Sequence, residues 1–434
     1  MKIFNYIFLV VCGLIPLTSH AQQTPAAKQS VSIVITGATV HIGNGEVLKN
    51  SAVGFENGKI TYVGSDSGVN TSDFNTVIDA GGQHIYPGFI GTNTTLGLVE
   101  IDAVRASDDD SEIGGLIPHV RSIIAYNAES KVVESVRPNG ILMAQISPRG
   151  GRISGTSSIV QLDAWNWEDA AVKTDDGIHI TWPATFRRGR WWTGEDPGMK
   201  PNEKYQQEVD ELKQFTKEAQ AYLKGERAPK NIPFEAMEGL FNGTQKVFIR
   251  ANDQKQITDA VLFAKETGIE QIVIIGGDEA HKVTDLLSRE NVAVLLSRPH
   301  RLPAKEDDHV KHPFMLASLL MDKGIVTGIE MSGQMERMNT RNLPFYAGTF
   351  AAYGLPKEEA LKLITLNAAK ILGIDSFAGS LEVGKDATLF ISQGDALDMR
   401  TNQLSHAFIQ GREISLETHQ TQLWKRYSGK YGQE

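Results

Sequence analysis

The chain of 434 residues is almost without cysteine: Cys12 is its only one, and it sits close to the start. The remainder forms no disulfide and does no thiol chemistry, which suits an oxidising compartment. Excess charge of one sign is also missing. A net charge of −9 is mild for this length; it argues against a nucleic-acid binder and against a basic membrane-surface protein. Long apolar runs are absent too. Ile7 to Leu17 is shorter than a bilayer requires, so no membrane span is expected. No Gly-x-Gly-x-x-Gly follows an early strand, which removes the main dinucleotide-binding signal. Neither Ser-x-x-Lys nor Gly-x-Ser-x-Gly occurs, so a serine hydrolase has no support.

What is present begins with a secretory pattern. Lys2 precedes the apolar run, and Ser19-His20-Ala21 ends on a small residue before Gln22. Residues 1–21 are therefore expected to be a signal peptide and 22–30 a linker, with the mature chain periplasmic or secreted. Residues 31–86 read as short strands. Val31 to Ile35 is β-branched, and Asn57-Gly58 between Val53-Gly54-Phe55 and Ile60 to Val63 is a strong hairpin signal. The far end mirrors this with Ala387 to Ile391, Ala407 to Ile409 and Glu413 to Ser415. The two clusters are expected to pair in one β-sandwich domain, 31–86 plus 380–416, followed by a tail, 417–434.

Between them strand and helix patterns alternate. Val247 to Ile249, Gln271 to Ile275, Val292 to Leu296 and Ile325 to Ile329 read as strands. Helices are expected over 256–266, with apolar residues at 257, 260, 261 and 264, and over 279–288 and 313–322. That alternation predicts an α/β architecture, a (β/α)8 TIM-like barrel over 87–379, with a doubly wound sheet as the alternative. Residues 165–245 break the rhythm and read as an insertion, with a charged helix over 203–225 and a possible role as lid or cap. Five of the tryptophans, Trp165, Trp167, Trp182, Trp191 and Trp192, fall in that region, as a ligand cleft or as packing.

Three motifs stand in order: Ile78-Asp79-Ala80-Gly81-Gly82 before Pro87-Gly88-Phe89-Ile90-Gly91-Thr92-Asn93-Thr94-Thr95; Leu363 to Gly373; and Gly379 to Ala387. Together they resemble the imidazolonepropionase-like branch of the amidohydrolase superfamily. The resemblance implies a barrel hydrolase acting on carbon–nitrogen bonds, with zinc held by histidines and a carboxylate at the strand ends. It also places those positions on residues unsuited to the task. The two histidines of the first strand become Asn93 and Thr95, the fifth-strand histidine becomes Arg250, the sixth falls at Gly276, and the last-strand aspartate becomes Glu330. The fourth-strand ligand is not placeable.

Glu330 is thus the candidate catalytic carboxylate. Asn93, Thr95, Arg250 and Gly276 are the candidate ligand-binding positions at the mouth. Arg149 and Arg152, in the Gly/Ser-rich stretch 147–158, join them as an anion cradle or a structural turn. No cofactor is expected, because the zinc ligands of the family are missing. A relocated metal site would use His300, His309 and His312, whose loop also carries acids but is diluted by Arg301, Lys305 and Lys311. His179 and His281 read as ordinary packed or surface histidines. Three roles stay open: a metal-free member that binds a small molecule, an active hydrolase with an unorthodox site, and a partner of an active relative or of itself.

Overall fold

The computed structural model describes residues 24–432 except 190, 197 and 334. The secretory pattern and Cys12 lie outside the described residues.

Both ends of the chain build one sheet of eight strands. Its main path runs 412–413, 404–409, 389–392, 84–87, 33–41, 47–56 and 59–65, with 76–79 also pairing with 33–41. Asn57 and Gly58 both take positive φ, 52° and 79°, the twisted turn that this hairpin needs. The sheet folds over on itself. Phe55 meets Phe408 edge-on at 5.1 Å although three strands separate theirs along the path. Ile35, Val53, Ile85 and Leu389 fill the space between.

The second sheet is the barrel. We number its strands β1 (Phe89–Thr94), β2 (Ile141–Ile146), β3 (Ile153–Gln161), β4 (Ala171–Thr181), β5 (Lys246–Ala251), β6 (Ile272–Gly276), β7 (Ala293–Leu296) and β8 (Thr327–Ile329). They lie side by side in that order. A parallel bridge from Thr92 to Glu330 joins the two ends, and Met331 N donates to Thr92 O at 2.9 Å. The interior is packed by Ile90, Met143, Ile159, Phe248, Val273, Ile275 and Leu295. The helix Leu366–Leu372 covers the end away from the mouth, where Lys246 at the start of β5 donates to Lys370 O at 3.0 Å.

Two sequence expectations need correction. The alternation implied parallel strands throughout, yet β3 runs antiparallel to both β2 and β4. The connections 147–152 and 162–170 are too short for a parallel crossover, which takes a dozen residues or more. Part of the stretch 147–158 is therefore strand rather than loop. The proposed insertion 165–245 contains β4, and only 182–245 leaves the sheet. Its long helix, Tyr205–Lys224, is not a lid. Tyr205, Val209, Leu212, Thr216 and Ala219 recur on one buried face. Lys213 pairs with Glu266 and Gln220 bonds Thr267 O, so the helix stands beside Gln254–Glu266 in the outer ring.

Candidate functional site

The carboxyl ends of β1, β5 and β8 bring Asn93, Arg250 and Glu330 together. Asn93 sits at a bulge with φ 51°, and its side chain crosses the mouth. Asn93 Nδ2 donates to Glu330 Oε2 at 3.1 Å. Ser332 N donates to the same oxygen at 2.7 Å, and Ser297 Oγ to Oε1 at 2.9 Å. Arg250 Nη1 lies 3.6 Å from Glu330 Oε1, while Arg250 Nη2 donates to Ser332 Oγ at 2.5 Å. Glu330 is thus buried and engaged on both oxygens. The Arg250 side chain is 32% exposed, so its pairing is weaker than a dry pair would be.

Arg149 enters from the β2–β3 turn. Its guanidinium donates to Asn93 Oδ1 at 3.0 Å and Asn93 O at 2.8 Å. Burial, and then repulsion from Arg250, push its pKa down to about 10. Arg152 goes elsewhere: it donates to Thr181 O and pairs with Glu208 at 3.1 Å on the long helix. The two arginines do not form one cradle. Thr95 is buried just past β1. Gly276 ends β6 with φ 95°, and a Cβ there would stand 2.1 Å from Asn252 Oδ1.

Beneath the mouth lies a second polar layer. Gln145 accepts from Asn93 N at 3.0 Å and donates to Asp176 Oδ2 at 2.7 Å; Ser157 donates to Asp176 Oδ1 at 2.7 Å. Burial raises the Asp176 carboxyl to about 6, against those two hydrogen bonds.

His179, read from the sequence as an ordinary packed or surface histidine, is packed, and packed next to the mouth. It lies on β4, fully inside the barrel, stacked on Phe248 with ring centroids 4.8 Å apart. Its Nε2 is buried and has no hydrogen-bond partner among the described residues. Desolvation, then Arg149 and Arg250, hold its pKa well below the ordinary value, so it is neutral. It stands on β4, the strand on which no ligand position could be placed from the sequence. The motif around it, Gly177-Ile178-His179-Ile180, reads like any core strand, so no local signal marked it.

The histidines considered for a relocated site do not converge. His300 Nε2 contacts Thr349 Oγ1 at 3.1 Å, and His309 Nδ1 accepts from Lys311 N at 3.2 Å. His312 instead meets His281, ring centroids 4.3 Å apart. The tryptophans scatter as well. Trp165 and Trp192 are exposed, while Trp182 is buried and donates to Tyr205 OH at 3.0 Å.

Residues 258–414 match the amidohydrolase family model, across β6, β7 and β8 and on into the composite sheet. Those residues carry an amidohydrolase-family domain. The chain is similar to a 5'-deoxyadenosine deaminase of Methanosarcina barkeri, at 23% identity over 83% of this chain and 82% of the relative. Its fold matches an amidohydrolase from Thermotoga maritima with TM-score 0.75 and 22% identity, covering 88% of this chain and 99% of that one. It also matches an adenosine deaminase from Xanthomonas campestris with bound zinc, TM-score 0.56 and 13% identity, covering 93% and 98%.

The zinc that such a family implies does not suit the residues found here. Among the described residues the mouth offers the imidazole of His179 and the carboxylate of Glu330, and that carboxylate is already shared among four donors. Two guanidiniums stand beside it, and Arg250 carries a permanent charge that opposes a cation. At Gly276 the space for a ligand side chain is taken by Asn252.

Proposed function

We propose that this barrel serves as a ligand-binding member of the amidohydrolase superfamily without metal-dependent turnover, and that its ligand is a small anion such as a carboxylate. The observation that carries this reading is Glu330: Asn93, Ser297, Ser332 and Arg250 all engage it. Arg149 and Arg250 then set two guanidiniums beside Glu330, with the Asp110 carboxyl acting on Arg149 as well. A guanidinium near solvent suits an anionic group, and the neutral His179 adds a hydrogen-bonding nitrogen without adding charge. A protein purified without chelators should hydrolyse neither dipeptides nor N-acyl amino acids, and should not deaminate adenosine, with or without added zinc. A zinc-dependent rate that Glu330→Gln abolishes would overturn the reading.

A second reading, hydrolysis of a carbon–nitrogen bond by an unorthodox site, is favoured by His179 alone, a buried neutral imidazole with a free nitrogen. Turnover without metal, lost in His179→Gln, would establish it. We place the chain outside the cytoplasm on the strength of Lys2 and the run Ile7 to Leu17. Terminal sequencing of protein from a cell fraction, beginning at Gln22, would test that.

A further inference from the structure

The helix His419–Tyr431 closes the described chain, and almost nothing packs on it. Its N-terminal end is fixed: Thr418 is buried and caps the helix, and His419 N donates to Glu134 Oε1 at 2.7 Å. Beyond that, every residue from 419 to 432 is exposed except Ser428, which is half-buried. A helix this short is marginal in water without packing to support it. Such a helix calls for a partner.

The composition of its surface identifies the partner's chemistry. At about 100° per residue, Leu423, Trp424, Tyr427 and Tyr431 fall within an arc of roughly 100°. Trp424 is 64% exposed and Tyr431 65%. Arg426 and Lys430 flank the arc on one side, each lying over a tyrosine ring, at 5.7 Å for Arg426–Tyr427 and 4.9 Å for Lys430–Tyr431. Lys425 adds a third cation on the far side, paired with Glu417. Between Glu417 and Glu434 there is no carboxylate side chain, in a chain whose net charge is −9. A tryptophan and tyrosines with polar edges, beside lysine and arginine and without acids, suit the headgroup region of an anionic bilayer. A second basic helix of the same kind would repel this one.

We propose that the helix 419–431 docks this protein on the surface of an anionic phospholipid bilayer, with Trp424, Tyr427 and Tyr431 in the headgroup layer and Arg426 and Lys430 on lipid phosphates. The test is cosedimentation of the chain from Gln22 onward, which holds every described residue and leaves out the apolar run. The probes are vesicles of phosphatidylcholine alone and of phosphatidylcholine mixed with phosphatidylglycerol. The protein should pellet with the mixed vesicles and be released by salt. Arg426→Gln with Lys430→Gln should weaken binding roughly 25-fold, about fivefold for each cation. Trp424→Ser with Tyr427→Ser should weaken it by at least as much. Both pairs should melt with the parent, since these side chains are exposed. Failure to pellet, or pelleting that survives both pairs, would overturn the proposal. So would self-association abolished by the same substitutions, which would assign the arc to a second copy of the chain.

Discussion

Two places in this molecule set two guanidiniums around one carboxylate, and they behave differently. At the junction of the barrel with the composite sheet, Asp163 takes Arg137 on Oδ1 at 2.9 Å and Arg412 on Oδ2 at 3.2 Å, and Ala26 N donates to Oδ2 at 2.9 Å. Asp163 and Arg137 are buried and Arg412 nearly so, and Arg412 adds bonds to Asp163 O, Ala26 O and Gln161. At the mouth, Glu330 meets only one guanidinium, at 3.6 Å, and that one is a third exposed; Arg149 binds Asn93 instead. The junction spends its donors on protein acceptors and ties four segments together. The mouth keeps a cation near solvent. Equal composition gives a lock where water is excluded and a receptive surface where it is not.

The comparison can be broken most sharply at the junction. Asp163→Asn should destabilise the fold by about 3–5 kcal/mol in denaturant unfolding, because it leaves two buried cations with one neutral partner. A loss under about 1 kcal/mol would show that the junction is as loose as the mouth.

Asp176, below the mouth, gives the next effect. Its carboxyl is raised by burial from 3.8 to about 6 in the folded protein. The folded state therefore holds this proton more tightly than the unfolded chain, so its contribution is favourable below pH 4 and is lost as pH rises through about 6. Asp176→Asn should gain on the parent across that window, by at most about 3 kcal/mol. Unfolding curves measured from pH 4 to pH 7 would show the difference growing with pH; a constant difference would rule the titration out.

The mouth itself is tested with metal. Asn93→His with Thr95→His should bind zinc no better than micromolar by competition titration. Repulsion from a cation ~4 Å away at an effective dielectric of ~20 is on the order of 4 kcal/mol per unit charge. Adding Arg250→His should tighten binding at least tenfold. Nanomolar binding by the double variant would show that Arg250 does not govern the site.

The smallest effect is the coupling of Arg250 with Glu330. The two single variants Arg250→Met and Glu330→Gln should together cost more than the double variant, by about 1 kcal/mol, since the pair is partly solvated. Additivity would mean that Ser297, Ser332 and Asn93 alone hold the carboxylate.

Much of this was legible in the residues. The Pro87 segment, the alternation after Val247 and the mirrored strands at the two ends gave the barrel and the composite sheet, because hydrophobic period and turn chemistry are local. The antiparallel β3 was not legible. Gly150-Gly151 reads as a loop, and only its shortness rules out a crossover. β4 was hidden because Lys173-Thr174-Asp175-Asp176 is polar where a core strand is expected, and its reward lies in Gln145 and Ser157 on other strands. Arg149 and Arg152 look equivalent in sequence; one turns in to Asn93 and the other out to Glu208. For the mouth, the resemblance supplied the positions Asn93, Arg250 and Glu330. Their hydrogen bonds, and the place of His179, depended on the closed barrel.

The amide of Asn252 beside Gly276 has a consequence for engineering rather than energy. A histidine introduced at 276 meets two obstacles at once, an oxygen 2.1 Å from its Cβ and a backbone φ of 95° that side-chain-bearing residues seldom adopt. No single substitution places an imidazole there. Asn252 would have to yield and the turn to re-form first, so the position works as a ratchet that holds a ligand off this strand.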